Sequence, residues 1–246
     1  MISWSFIKNQ VALINWNYPE FLTSKVDTLP DAGKLAQELT EANHEYLKDM
    51  FAFEITTPVL ELAIIKALTK SDSKFAIIQI PGNVIASEFT IRTMNHMEKH
   101  DNCSLLGHVI NKKDSQGDRW WGIMPYTIVL NLQHFKQVGK PFFGNRRDAP
   151  EPNQKFPVVI ETDEGIESNG ETILSTNDRL FYGWNFINSF LSKQKSVHNF
   201  GDRLNPFRQF VYYESEDDLV KHNWLMDNMA EYVEDGEYYD NHKNTN

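Results

Sequence analysis

Phe75 to Ile80 form an apolar run broken only by Gln79, with Ser71-Asp72-Ser73 before it and Pro81-Gly82-Asn83 after it. A run this short and continuous, bounded by turn residues, suits a strand buried on both faces, as in a parallel sheet. Such a strand needs a covering layer above and below, and the neighbouring segments have the right periodicity to supply them. Leu35, Leu39, Ala42, Tyr46, Leu47 and Met50 fall three or four apart, which predicts an amphipathic helix with Asp31 at its N-cap. A second helix follows Thr57, with Pro58 in its first turn and Val59, Leu62, Ala63, Ile65 and Leu68 as the expected inner face. Ser87 to Lys99 reads as another helix and Cys103 to Ile110 as another apolar strand.

Helix, strand, helix and strand in succession imply an α/β layer fold. The expectation is a mixed, mostly parallel central sheet with helices packed on it. Val11 to Trp16, Trp120 to Leu132, Phe156 to Ile160 and Phe207 to Tyr213 are further strand candidates. Asn131 is placed to cap a short helix ending at Gly139. Asp163 to Asn177 reads as a turn-rich stretch. Ser175 or Thr176 then opens a helix with the stripe Leu180, Phe181, Trp184, Ile187, Phe190 and Leu191.

Charge divides the chain. Its net charge is -10, yet Glu214 to Asp240 hold ten acids against the single base Lys221, so residues 1 to 213 are almost neutral. The expected organisation is one α/β domain over 1–213 and an acidic appendage over 214–246. Without a basic surface, nucleic acid is an unlikely partner. The single cysteine, Cys103, excludes an intrachain disulfide and any multi-cysteine zinc site. The first sixteen residues lack the unbroken apolar core of a signal peptide, and the apolar segments are interrupted by Glu61, Lys66, Gln79 and Pro81, so no membrane span and a cytoplasmic location are expected.

Ligands of open α/β sheets bind outside the carboxyl ends of the strands. Pro81-Gly82-Asn83 and Gly107-His108 lie at such ends, and Trp120, Trp121 and Tyr126 cluster after a polar loop. This order over Phe75 to Gly144, with the later Gly183-Trp184 helix, resembles the central part of A-type-fold glycosyltransferases. It is also similar to uncharacterised proteins of marine bacteria and their phages that carry a Gly-His strand followed by an aromatic-rich one. The glycosyltransferase resemblance implies a nucleotide-activated sugar as ligand, with Gly82, Asn83, Gly107, Trp120, Trp121 and Tyr126 as candidate lining residues, the alternative being that the glycines make turns and the tryptophans pack. His108, inside an apolar strand beside a glycine, is the candidate catalytic acid or base, the alternative being a satisfied buried histidine.

The family commonly uses a divalent cation, manganese or magnesium, held by two carboxylates after a buried strand. Here that turn carries no carboxylate, and the displaced candidates are Glu161 and Asp163, two apart after the strand-like Phe156 to Ile160. The alternative to an enzyme is a non-catalytic binding or assembly module on the same fold. His96 and His100 share a helix face, with His108 nearby in sequence. The glutamate of a zinc-protease motif is replaced by Met97, and the pair reads as solvated.

Overall fold

The structure is a computed structural model that describes residues 2–18, 31–113, 115–147, 149–201, 211, 213 and 215–235. In chain order its elements are α1 (Trp4–Gln10), β1 (Val11–Trp16), α2 (Ala32–Leu47), β2 (Phe53–Thr57), α3 (Leu60–Lys70) and β3 (Phe75–Gln79). They continue with α4 (Ser87–Lys99), β4 (Cys103–Lys113), β5 (Arg119–Asn131), α5 (Leu132–Gln137), β6 (Lys155–Glu161) and β7 (Gly165–Ile173). Last come β8 (Arg179–Leu180), α6 (Trp184–Leu191), β9 (Ser196–Asn199), α7 (Glu216–Asp227) and α8 (Met229–Asp235).

The nine strands among the described residues join one sheet, in the order β2-β1-β3-β5-β4-β9-β7-β6, with β8 beside β5. Apolar side chains of β1 and β3 alternate between two cores. Ala12, Ile14, Ala76 and Ile78 enter one with α3, α5 and α6, whereas Leu13, Phe75 and Ile77 enter the other with α1, α2, α4, α7 and α8. The result is a three-layer sandwich, and β3 is buried at every position, as its unbroken apolar run required.

The sheet is mixed, but it is not mostly parallel. β2, β1 and β3 run parallel, as do β4 and β9, whereas β3–β5, β4–β5, β6–β7 and β7–β9 are antiparallel. The reason is loop length. Residues 114–118 and 162–164 are too few for a crossover, so β4–β5 and β6–β7 close as hairpins. Pro157 is tolerated because β6 is an edge strand.

Local chemistry explains several helix boundaries. Asn131 caps α5 as expected, accepting from the amides of Gln133 and His134. Ser215 and Asp218 form a reciprocal capping box on α7. Asp31 does precede α2, but in a left-handed conformation with no side-chain cap. On α3 the buried face is Leu60, Ala63, Ile64 and Ala67, and the expected Val59 and Leu62 are exposed. The helix begins only at Leu60, after Pro58, and packs against β1 and β2 through this neighbouring stripe. Residues 179–180 form a strand, so the helix expected from Ser175 starts only at Trp184, with Gly183 at its N-cap at φ 70°.

The expected boundary at residue 213 is not a boundary of the core. Leu225 of α7 and Met229, Tyr232 and Val233 of α8 are buried with α2 and α4. Glu216, Asp217, Asp227, Glu231 and Glu234 on these helices are exposed while those four apolar side chains dock. Most of the expected strand Phe207–Tyr213 lies outside the described residues. No helix among those described is long and apolar enough to cross a membrane.

Candidate functional site

The carboxyl ends of β1 and β3 and the interior of β5 build one polar row. In the parallel β1–β3 ladder Asn15 pairs with Gln79, and in the antiparallel β3–β5 ladder Gln79 pairs with Thr127. Each stands two residues from a side chain of the α2 and α4 core (Leu13, Ile77 and Val129), so the period of two puts all three on that face. Asn17 continues β1 by donating its backbone N–H to Thr57. Asn83 folds back over the row, its Nδ2 donating to the Tyr126 carbonyl at 2.6 Å and to Thr127 Oγ1.

Asn15, Gln79, Asn83 and Thr127 are buried to within 2% of full enclosure. Yet Asn15 Oδ1, Asn17 Oδ1, Asn83 Oδ1 and both amide atoms of Gln79 have no hydrogen-bond partner. Buried polar atoms are normally paired, and each unmade bond costs about 1–3 kcal/mol. Five such atoms in four amides lie together at the ends of β1 and β3, which makes this row the candidate binding site. Sequence reading missed Asn15, Asn17 and Gln79. The available signal was Gln79, the one polar residue in an otherwise apolar buried strand.

The turn after β3 is structural. Gly82, at φ 88°, donates its N–H to Ala36 O and Thr40 Oγ1 and accepts from Val211, so both backbone groups are occupied. Asn43 of α2 grips Ile85 by two bonds, Ile85 N to Oδ1 at 2.9 Å and Nδ2 to Ile85 O at 3.1 Å. These contacts hold Asn83 over the amide row. Gly107 allows strand packing, because a Cβ there would stand 2.4 Å from Ile123 Cδ1.

His108 is half-buried on β4 opposite Met124, and desolvation first, then Lys112, lowers its pKa. The order β3-β5-β4 puts it two strands over from Gln79, and it is also offset along β5, opposite Met124 where Gln79 is opposite Thr127. Tyr126 meets the site through its carbonyl. Trp121 does not: it is buried among the α6-side aromatics, edge-on to Phe156 at 6.4 Å between ring centres. Trp120, on the opposite side of β5, stacks on Phe181 at 5.3 Å.

Glu161 and Asp163 are exposed around the β6–β7 turn at the far edge of the sheet. Five strand spacings, roughly 24 Å, separate β6 from β3. The residues present therefore do not fit a divalent cation at the strand-end site, and no step is assigned to one.

His96 and His100 are half-buried in a cluster and not freely solvated. Their rings lie 4.4 Å apart and meet His198 of β9, at 5.1 and 5.2 Å. His96 Nε2 is 2.8 Å from His198 Nδ1, and His100 Nδ1 is 3.0 Å from a Glu164 carboxylate oxygen. Burial and then the neighbouring imidazoles lower the His198 pKa to about 4. His198 is far away in sequence, so the spacing of His96 and His100 carried no sign of it.

The fold and the amide row define an α/β sandwich with a polar strand-end site. No family model matches the chain, and no curated protein matches it significantly, so its functional reading rests on the site itself.

Proposed function

We propose that the chain binds the nucleoside part of a nucleotide-activated sugar at the carboxyl ends of β1 and β3, as a glycosyltransferase-like protein. The five unpartnered amide atoms carry this reading. Four of these atoms are amide oxygens that call for donors and one, Gln79 Nε2, calls for an acceptor, and base amino groups, ribose hydroxyls and ring or carbonyl acceptors supply both. The position supports it too, because strand ends are where open α/β sheets hold nucleotides. Binding needs a local opening, since the amides are enclosed. In this reading His108, neutral near pH 7, takes the proton of an acceptor hydroxyl.

A second reading, binding without transfer, is favoured by one observation: Pro81-Gly82-Asn83 brings no carboxylate to the site. One experiment addresses both. The full chain is heated with a panel of nucleoside diphosphates and nucleotide-sugars, with and without manganese, and donor hydrolysis or transfer is followed separately. A ligand at one hundred times its dissociation constant adds about 2.7 kcal/mol of stability. Stabilisation that is lost in Asn15→Leu supports the site, and turnover lost in His108→Gln with binding retained supports transfer. A panel in which nothing stabilises the chain refutes the reading.

A further inference from the structure

We propose that His96, His100, His198 and Glu164 form a binding site for one first-row divalent transition-metal ion of the zinc class. Three imidazoles and a carboxylate meet here from parts of the chain far apart in sequence: the end of α4, the β6–β7 turn and β9. The ligand atoms of His100, Glu164 and His198 all lie within 4.8 Å of one another, and His96 shares His198 with this group. Tetrahedral nitrogens on a metal at about 2.0–2.1 Å stand roughly 3.3–3.4 Å apart. Opening the 2.8 Å His96–His198 contact by about half an ångström would give these two nitrogens that spacing, while His100 and Glu164 would have to close in on the same ion from their 4.8 Å grouping with His198.

The surroundings orient the ligands. Ser196 Oγ lies 3.0 Å from His198 Nε2, and in the tautomer whose Nε2–H donates to this oxygen the Nδ1 lone pair is directed at His96. Gly165 is required for Glu164 to reach the cluster, since a Cβ would stand 2.2 Å from Val197 O and 2.5 Å from His198 Cα. Donation of the Asn199 N–H to Glu164 O, at 2.9 Å, fixes the same turn against β9. Cys103 Sγ lies beneath His96 and His198, in contact with Met97 Sδ and Leu105 O at 3.5 Å. His100 and Glu164 are on the solvent side, where an ion would enter. Imidazole with one carboxylate selects zinc, cobalt or nickel over magnesium and calcium, which prefer oxygen-only sets. The site is separate from the amide row and does not rest on the nucleotide reading.

The test uses the full chain stripped with a chelator and titrated with Zn²⁺ alone by calorimetry, with Co²⁺ as a spectroscopic probe. The expected result is one ion per chain, a melting temperature raised by several degrees, and the visible absorption of tetrahedral cobalt. His100→Gln and Glu164→Gln, both at the outer side of the cluster, should each weaken Zn²⁺ binding at least tenfold while the far-ultraviolet circular dichroism is unchanged. The unsubstituted chain tests the proposal by itself through stoichiometry and cobalt spectrum, should either variant misfold. Absence of one-to-one binding, or affinity unchanged in both folded variants, overturns the site.

Discussion

Replacing Gln79 by methionine should stabilise the ligand-free protein. The side chain is fully buried, and neither Nε2 nor Oε1 has a hydrogen-bond partner. Each unmade bond costs about 1–3 kcal/mol, whereas a methionine of similar length and volume adds a packing cost below about 1.5 kcal/mol. The two unmade bonds, less that packing cost, give an expected gain of about 0.5–6 kcal/mol. For a chain of this size, 2 kcal/mol corresponds to a rise of about 4–8 °C in melting temperature. Asn43→Leu is the contrasting change. It also removes a buried amide, but one that holds both the N–H and the C=O of Ile85, and should lose about 2–5 kcal/mol. Urea denaturation of both variants, with the slope checked for constancy, measures the difference. If Gln79→Met destabilises the chain as Asn43→Leu does, the Gln79 amide is satisfied in solution and the argument for a ligand-seeking row collapses.

Three further outcomes are expected. Gly183→Ala should cost about 1–3 kcal/mol or more, because φ is 70° and the new Cβ would stand 2.2 Å from Ile123 Cγ2; an unchanged urea midpoint would contradict this. Leu225→Ala should cost about 2–5 kcal/mol, since α7 is docked in the core, while a chain ending at Asp235 should melt like the full one; the opposite pattern would put the stabilising contacts beyond Asp235. His134, beside Ser104 and with Lys195 Nζ 3.3 Å away, has its pKa lowered to about 4 by desolvation and then by Lys195 and Lys74, against a smaller opposing pull from Asp101. Because the unfolded chain takes up this proton near pH 6.5 and the folded chain only near pH 4, the stabilising contribution is complete above the first value and lost toward the second. The slope is at most about 1.4 kcal/mol per pH unit, and His134→Gln should remove it; parallel stability curves between pH 7 and 4.5 would refute the assignment.

What could be read in the sequence was whatever depends on short-range chemistry. The apolar run Phe75–Gln79, the helix Ser87–Lys99 and the Asn131 cap all stand where period and capping put them. β7 was not legible. Glu167, Asn169, Gly170 and Glu171 face solvent, so its strand character depends on pairing with β6 and β9 and not on an apolar face. The sheet's polarity also depended on pairing, since loops of three to five residues force hairpins whatever the strands look like. Of the site, Asn83 could be found because a turn after a buried strand marks a strand end. Asn15 and Gln79 became a site only when adjacent strands set them side by side, and His198 joined His96 and His100 only through the β4–β9 register. Hydrophobic period and capping act within a few residues, so the sequence by itself determines elements and layers. Convergence of side chains from separate strands depends on register and strand order, which only the assembled sheet decides.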